Sequence, residues 1–163
     1  MLQDKLNFYK DFPKEGINFI DIMPFLYSKD VFREVISELD VLVDTPNLAV
    51  PEARGFLFGT PLLMTDGAVS NVIPVRKSGK LPFSEGDLVG VEIMKEYGAD
   101  KLFYRKSDVA LAQSLISTPI VKDGVTFRVA VKKFVFLVEI DDLHGADRLS
   151  KIAPVASLIH LND

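Results

Sequence analysis

Four cations stand at the ends of two apolar runs, and their types and neighbours suit the binding of phosphate. "NLAVPEARGF" stops at a turn carrying Glu52, Ala53 and Arg54 beside Gly55. "NVIPVRKSGKLP" ends on Arg76 and Lys77, with Lys80 just beyond Gly79. Guanidinium and ammonium groups converging on flexible turns can clamp a diphosphate. A surface arginine paired with Glu52, and a solvated basic loop, are equally open readings of these residues alone. A third group, "FLVEIDDLHGAD" from Phe136 to Asp147, runs apolar residues into Glu139, Asp141 and Asp142 and then Gly145, a pattern that could hold ribose hydroxyls or a metal. Glu96 and Tyr97, in "KEYG", follow a stretch rich in glycine and charge, where a closing loop would carry them over a substrate. Strand-edge glutamates and tyrosines are also common without any such role.

Other chemistries lack their residues. The chain has no cysteine, which removes disulfides, thiolate ligation and a cysteine nucleophile. His144 and His160 are the two histidines; they are far apart in sequence, and neither accompanies a serine in a nucleophile elbow, so a Ser-His-Asp triad has no support. Their spacing suggests no zinc site, and no protein-bound metal is expected. A net charge of −4 without long runs of one sign offers no footprint for nucleic acid or an anionic membrane. No apolar run approaches the ~18–20 residues that span a bilayer, and Met1 to Lys10 is a short mixed stretch rather than a leader. The expectation is a soluble, cytoplasmic protein.

The elements that position these residues follow from periodicity. With 163 residues, 48% of them hydrophobic, residues 1–163 can form a single domain around a sizeable core. Residues 1–10 are expected as a short helix, and "DFPKEG" as an extended turn. A helix starts at Ser28 or Asp30 as N-cap, with Val31, Phe32, Val35, Ile36 and Leu39 at helical spacing. The run ending at "PEARGF" reads as a buried strand, Phe56 to Met64 as a helix packed on it, and "NVIPVRK" as a second strand. Strand and helix thus alternate as in an α/β fold, with a central, mostly parallel twisted sheet flanked by helices. Residues 78–95 read as a mobile functional loop. "EYGADKLFYRK" is its returning strand, "LAQSLIS" a helix fragment, "VTFRVAVKKFVFLVEI" strand material, and "GADRLSKI" and "ASLIHL" close the chain.

Taken together, "DFPKEGINFIDIMPFL", "EARGFLFG", "PVRKSGKLP", "EYGADKL" and the closing "LVEIDDLHGADRLSKIAPVASLIHL" occur in the order found in adenine phosphoribosyltransferases, and the chain resembles that family at both ends and through most of its middle. The resemblance implies a type I phosphoribosyltransferase-like fold and a homodimer that joins adenine to phosphoribosyl pyrophosphate, giving AMP and pyrophosphate with Mg²⁺ held mainly by the phosphates. Residues 1–27 would be an N-terminal arm and a hood over the base, in which Ile17, Asn18 and Phe19 cover and read adenine. Glu52, Ala53, Arg54, Arg76, Lys77 and Lys80 would bind pyrophosphate, with the Glu52–Ala53 turn presenting its amides through a strained or cis peptide. Glu96 and Tyr97 would match the family's closing catalytic loop, at the far side of the mobile stretch 78–95.

Two departures stand out. Ile20 occupies a place where the family usually has a basic residue. The larger one concerns the family's strand, acid pair and threonine- and glycine-rich loop, which cradles the 5′-phosphate. "FLVEIDDLHGAD" imitates it, but Asp147 would repel a phosphate dianion, and the stretch matches the family's closing segment, where its acids are strand-end and turn residues. The loop belongs upstream, where the chain passes directly from Asp108 to Ala112. Either the protein lacks it, which would suit a non-catalytic purine- or nucleotide-binding relative, or a segment is omitted there. Loss of a central strand would leave its neighbours' backbone groups unpaired, so omission is expected, and a Cα gap well beyond ~3.8 Å would reveal it.

Overall fold

A computed structural model of the chain describes residues 1–95, 98–114 and 131–162. Its contacts divide the chain, read above as one domain, into two compact units: residues 1–43 with 131–163, and residues 44–130.

The first unit opens with a 3-10 turn, Leu2–Lys5, followed by strand β1 (Asn7–Lys10), which pairs antiparallel with β2 (Asn18–Asp21). Residues 1–10 are therefore helical for one turn only, because β2 supplies the hydrogen-bond partners of Asn7 to Lys10. A second 3-10 turn, Met23–Tyr27, buries Phe25 completely. Helix α1 (Lys29–Leu42) begins where the sequence places it: the Ser28 hydroxyl accepts a hydrogen bond from the Val31 amide at 3.4 Å. Val35, Ile36 and Leu39 of its apolar stripe are buried, and the helix packs on the parallel pair β7 (Phe134–Ile140) and β8 (Val155–Leu161). Between these strands lie a 3-10 turn, Asp141–Leu143, left-handed His144 (φ 53°) and a short helix, Gly145–Leu149.

In the second unit, β3 (Asn47–Pro51) runs parallel to β4 (Asn71–Lys77), connected through helix α2 (Arg54–Gly59) and a 3-10 turn, Thr60–Met64. The expected helix over 56–64 is thus α-helical only at its start; Pro61, lacking an amide hydrogen, sits in the first turn of the tighter continuation. β5 (Leu88–Lys95) and β6 (Gly98–Arg105) form an antiparallel hairpin, and β6 joins β4 through Arg76 opposite Phe103 and Lys77 opposite Leu102. The sheet order is β3-β4-β6-β5. Residues 88–95, read from sequence as the end of a loop, therefore form a strand: LVGVEIMK is rich in strand-forming residues, and the hairpin partner satisfies its backbone. Helix α3 (Lys106–Ser114) follows.

The α/β class holds. Its parallel pairing lies in β3–β4 and β7–β8, while β4, β6 and β5 are antiparallel. No helix among the described residues is long and apolar enough to cross a membrane.

α2 approaches β3 closely enough that a side chain at Gly59 would collide with it: a Cβ there would lie 2.3 Å from Cγ1 of buried Val50. Gly59→Ala is expected to destabilise the protein by about 1–3 kcal/mol through overpacking, despite alanine's better helix propensity, as read by urea unfolding.

Candidate functional site

The carboxyl ends of β3 and β4 build one cluster. Their register, Pro51 opposite Val75, is extended by the Glu52 amide donating to the Val75 carbonyl at 2.9 Å, which brings the PEARG turn beside Arg76. The Glu52–Ala53 peptide bond is cis, as the sequence reading anticipated. Arg54 opens α2, so Glu52 and Ala53 lie at the strand-to-helix turn, where open α/β sheets bind ligands. Arg76 Nε donates to Glu52 Oε2, and the Arg76 guanidinium also lies 5.7 Å from the centroid of the Phe56 ring. Just past the strand, the Lys80 amide donates to the Lys77 carbonyl at 3.2 Å, closing a turn in which Gly79 takes φ +73°. Glu52, Arg76, Lys77 and Lys80 are thus brought together at two neighbouring strand ends, with the exposed Arg54 side chain one residue into α2.

Glu52 is not a free carboxylate. The hydrogen bond from Arg76, with a backbone bond from Lys77 and the charges of both, holds its pKa below the ordinary glutamate value against the opposing effect of desolvation. A depressed carboxyl pKa contributes stability that is present above the unfolded value of about 4.3 and is lost as pH falls toward the folded value. In a carbon-13 titration, Glu52 is expected to titrate below that value, and Arg76→Met to move it upward.

The hood residues lie in the first unit. Ile17, Asn18 and Phe19 lead into and begin β2, with Tyr9 opposite Phe19. The connecting turn is closed by the Phe12 amide donating to the Ile17 carbonyl at 3.2 Å and by the Gly16 amide donating to Asp11 Oδ1 at 2.8 Å. Gly16 takes φ +84°, and the Phe12–Pro13 bond is cis. The Phe12 and Phe19 rings meet edge to face at 5.2 Å, leaving Phe12 half-exposed at the turn. Ile20 faces Phe8 across the hairpin. Glu96 and Tyr97 lie outside the described residues.

Where an omission was expected, the chain runs without a break from Asp108 to Ala112. Residues 106–114 are one helix, and the junction is built by specific contacts. Asp87 accepts from the Ser107 amide at 2.8 Å and the Ser107 hydroxyl at 2.7 Å, so its carboxylate caps the helix, and these bonds lower its pKa. Arg105 holds both Asp108 oxygens, at 2.9 and 2.7 Å. Val109 is buried against Ile73, with Tyr104 packed beside them. Omission was expected because a central strand of the resembled family would lie there. Here β4 instead meets β6, and Val109 fills the space beside Ile73.

One convergence was not anticipated. The sequence led us to expect no metal-ligating cluster, yet the fold gathers Glu139, Asp141 and His160, with one ligand atom from each all lying within 4.8 Å of one another. His160 Nδ1 lies 2.8 Å from Asp141 Oδ1, and this pairing raises the histidine's pKa. The two-residue spacing of Glu139 and Asp141 was visible in sequence; the parallel pairing that sets His160 opposite Glu139 was not.

No protein-family model matches the chain. Among curated proteins it is similar to the adenine phosphoribosyltransferase of Clostridium kluyveri, with 36% identity over 172 residues, covering 97% of this chain and 96% of the relative. That alignment is longer than the 163 residues of this chain, so the relative carries residues with no counterpart here. Among solved structures, adenine phosphoribosyltransferase from Thermoanaerobacter pseudethanolicus superposes with a TM-score of 0.76 at 30% identity, covering 99% of this chain and 100% of the other. The Giardia lamblia enzyme, complexed with 9-deazaadenine, gives the same TM-score at 20% identity, a likeness of fold alone.

Proposed function

Because the chain belongs to the adenine phosphoribosyltransferase family, we propose that it transfers the phosphoribosyl group of phosphoribosyl pyrophosphate to adenine, forming AMP and pyrophosphate in purine salvage. The observation that carries the reading is the meeting of the Glu52–Ala53 turn with Arg76, Lys77 and Lys80 at two parallel strand ends. The reaction breaks the bond from the anomeric carbon to pyrophosphate while a base nitrogen forms the new one. Positive charge grows on the sugar and negative charge on the leaving group, so fixed cations at the leaving oxygens lower the barrier.

Arg54, Arg76, Lys77 and Lys80 take the diphosphate in this account, and the backbone of Glu52 and Ala53 supplies amide donors. The Arg76–Glu52 pair holds the guanidinium in place before substrate arrives, which reduces the ordering needed on binding. Ile17, Asn18 and Phe19 form the adenine hood, with Phe12 bracing the Phe19 ring from its edge. Glu96 and Tyr97 belong to the loop that closes over the reacting centre. Mg²⁺ comes with the substrate: Glu52, the one carboxylate among the proposed diphosphate ligands, is engaged by Arg76, so the donors suit a phosphate whose own oxygens carry the ion. We place the enzyme in the cytoplasm as a homodimer.

A second reading, a non-catalytic purine- or nucleotide-binding protein, is favoured by one observation: helix 106–114 runs where the family's 5′-phosphate loop was expected. The two separate in a single experiment. The full chain, given adenine, phosphoribosyl pyrophosphate and Mg²⁺, should release AMP and pyrophosphate. Nucleotide binding without turnover would favour the second reading.

Glu96→Gln tests the loop assignment. It is expected to lower kcat with little change in KM for adenine if Glu96 acts in the transition state, whereas a rise in KM alone would place it in ground-state binding.

A further inference from the structure

We propose that Glu139, Asp141 and His160 form a binding site for a first-row divalent transition-metal cation, of the Zn²⁺ or Mn²⁺ class, at the carboxyl end of the β7–β8 pair. Side chains two residues apart on a strand point to the same face, so Glu139 and Asp141, the latter just past the end of β7, project together. Parallel pairing sets Glu139 opposite His160, adding an imidazole to that face from the neighbouring strand. The fold thus assembles two carboxylates and one imidazole from residues about twenty apart in sequence.

The chemistry of the set is mixed. Carboxylates alone favour Mg²⁺ or Ca²⁺, whereas a carboxylate pair joined by imidazole suits borderline first-row ions. Donors sharing such an ion at ~2.0–2.2 Å lie up to ~4.4 Å apart, so a cluster contained within 4.8 Å needs only a small side-chain adjustment. The closest pair, His160 Nδ1 and Asp141 Oδ1, is already at 2.8 Å. Support from outside the donors is present as well: the Ser157 hydroxyl donates to Glu139 Oε2 at 2.5 Å, fixing that carboxylate from the adjacent strand. His160 and Asp141 side chains are 56% and 42% exposed, so an ion and its waters have access. The competing account is that the imidazole simply neutralises its two acidic neighbours and binds nothing.

This inference does not rest on the transferase reading, and its test uses no turnover. Zn²⁺ titrated into the full chain by calorimetry should bind with one ion per chain, and His160→Ala and Asp141→Asn should each weaken binding at least about tenfold. Because the chain has only two histidines, substoichiometric Mn²⁺ should broaden the His160 ring signals while sparing His144, a readout that needs no variant to fold. The proposal is overturned if the wild-type chain shows no Zn²⁺ binding below millimolar concentration, if folded variants bind as the wild type does, or if His144 is broadened first.

Discussion

Arg76→Met is expected to slow AMP formation by about a hundredfold or more, the order of loss seen when one fixed donor to a developing anion is removed. The size of the effect follows from its double position. Arg76 lies at the end of β4, where its charge can meet the leaving pyrophosphate, and it is also the partner that orients Glu52 and lowers its pKa. The methionine variant removes the cation and leaves an unpaired carboxylate in the same pocket, adding repulsion to the lost attraction. Arg76→Lys separates the two contributions. It restores a charge without the guanidinium fork, so recovery of only part of the rate is expected if geometry as well as charge matters. Initial rates at saturating adenine, with phosphoribosyl pyrophosphate varied, measure both; a methionine variant within threefold of wild type would remove Arg76 from the site.

Phe25→Ala is expected to cost about 3–5 kcal/mol, the range for deleting a fully buried phenylalanine and leaving a cavity. Phe25 has no exposed surface and sits in the 3-10 turn that connects hairpin β1–β2 to α1, a turn in contact with that helix. Its loss therefore acts on the element that follows the hood. Urea unfolding gives the stability change, and amide hydrogen exchange should show the loss concentrated in residues 18–42. A change below 1 kcal/mol would mean that the turn repacks without its aromatic anchor.

What the sequence made legible was decided by local physics. α1 could be read because Ser28 caps it and Val35, Ile36 and Leu39 fall on one face. β3 and β4 could be read because buried parallel strands are continuous apolar runs. The cluster at Glu52, Arg76, Lys77 and Lys80 was legible for the same reason, since Glu52, Arg76 and Lys77 directly follow such runs and Lys80 lies just past the Gly79 turn. Elements that depend on a distant partner were not legible. Asn7 to Lys10 is a strand only because Asn18 to Asp21 pairs with it; residues 88–95, LVGVEIMK, carry strand-forming residues of their own and were hidden by the glycine- and charge-rich stretch before them. The passage from Asp108 to Ala112 shows the opposite hazard: knowledge of a family predicted a missing segment, while Val109 against Ile73 and Asp87 at the helix start make a continuous junction. Glu139 and His160 meet through strand register, which no spacing within either segment encodes.

The family assignment and the helix at 106–114 point to different expectations for turnover, and one measurement decides between them. Purified full-length protein is supplied with adenine, phosphoribosyl pyrophosphate and Mg²⁺, and AMP and pyrophosphate are quantified over time alongside the Arg76→Met variant. The account predicts equal amounts of the two products, formed catalytically by the wild type and strongly reduced in the variant. AMP that binds the wild-type protein but is never produced by it would contradict the account and leave a nucleotide-binding member of the family.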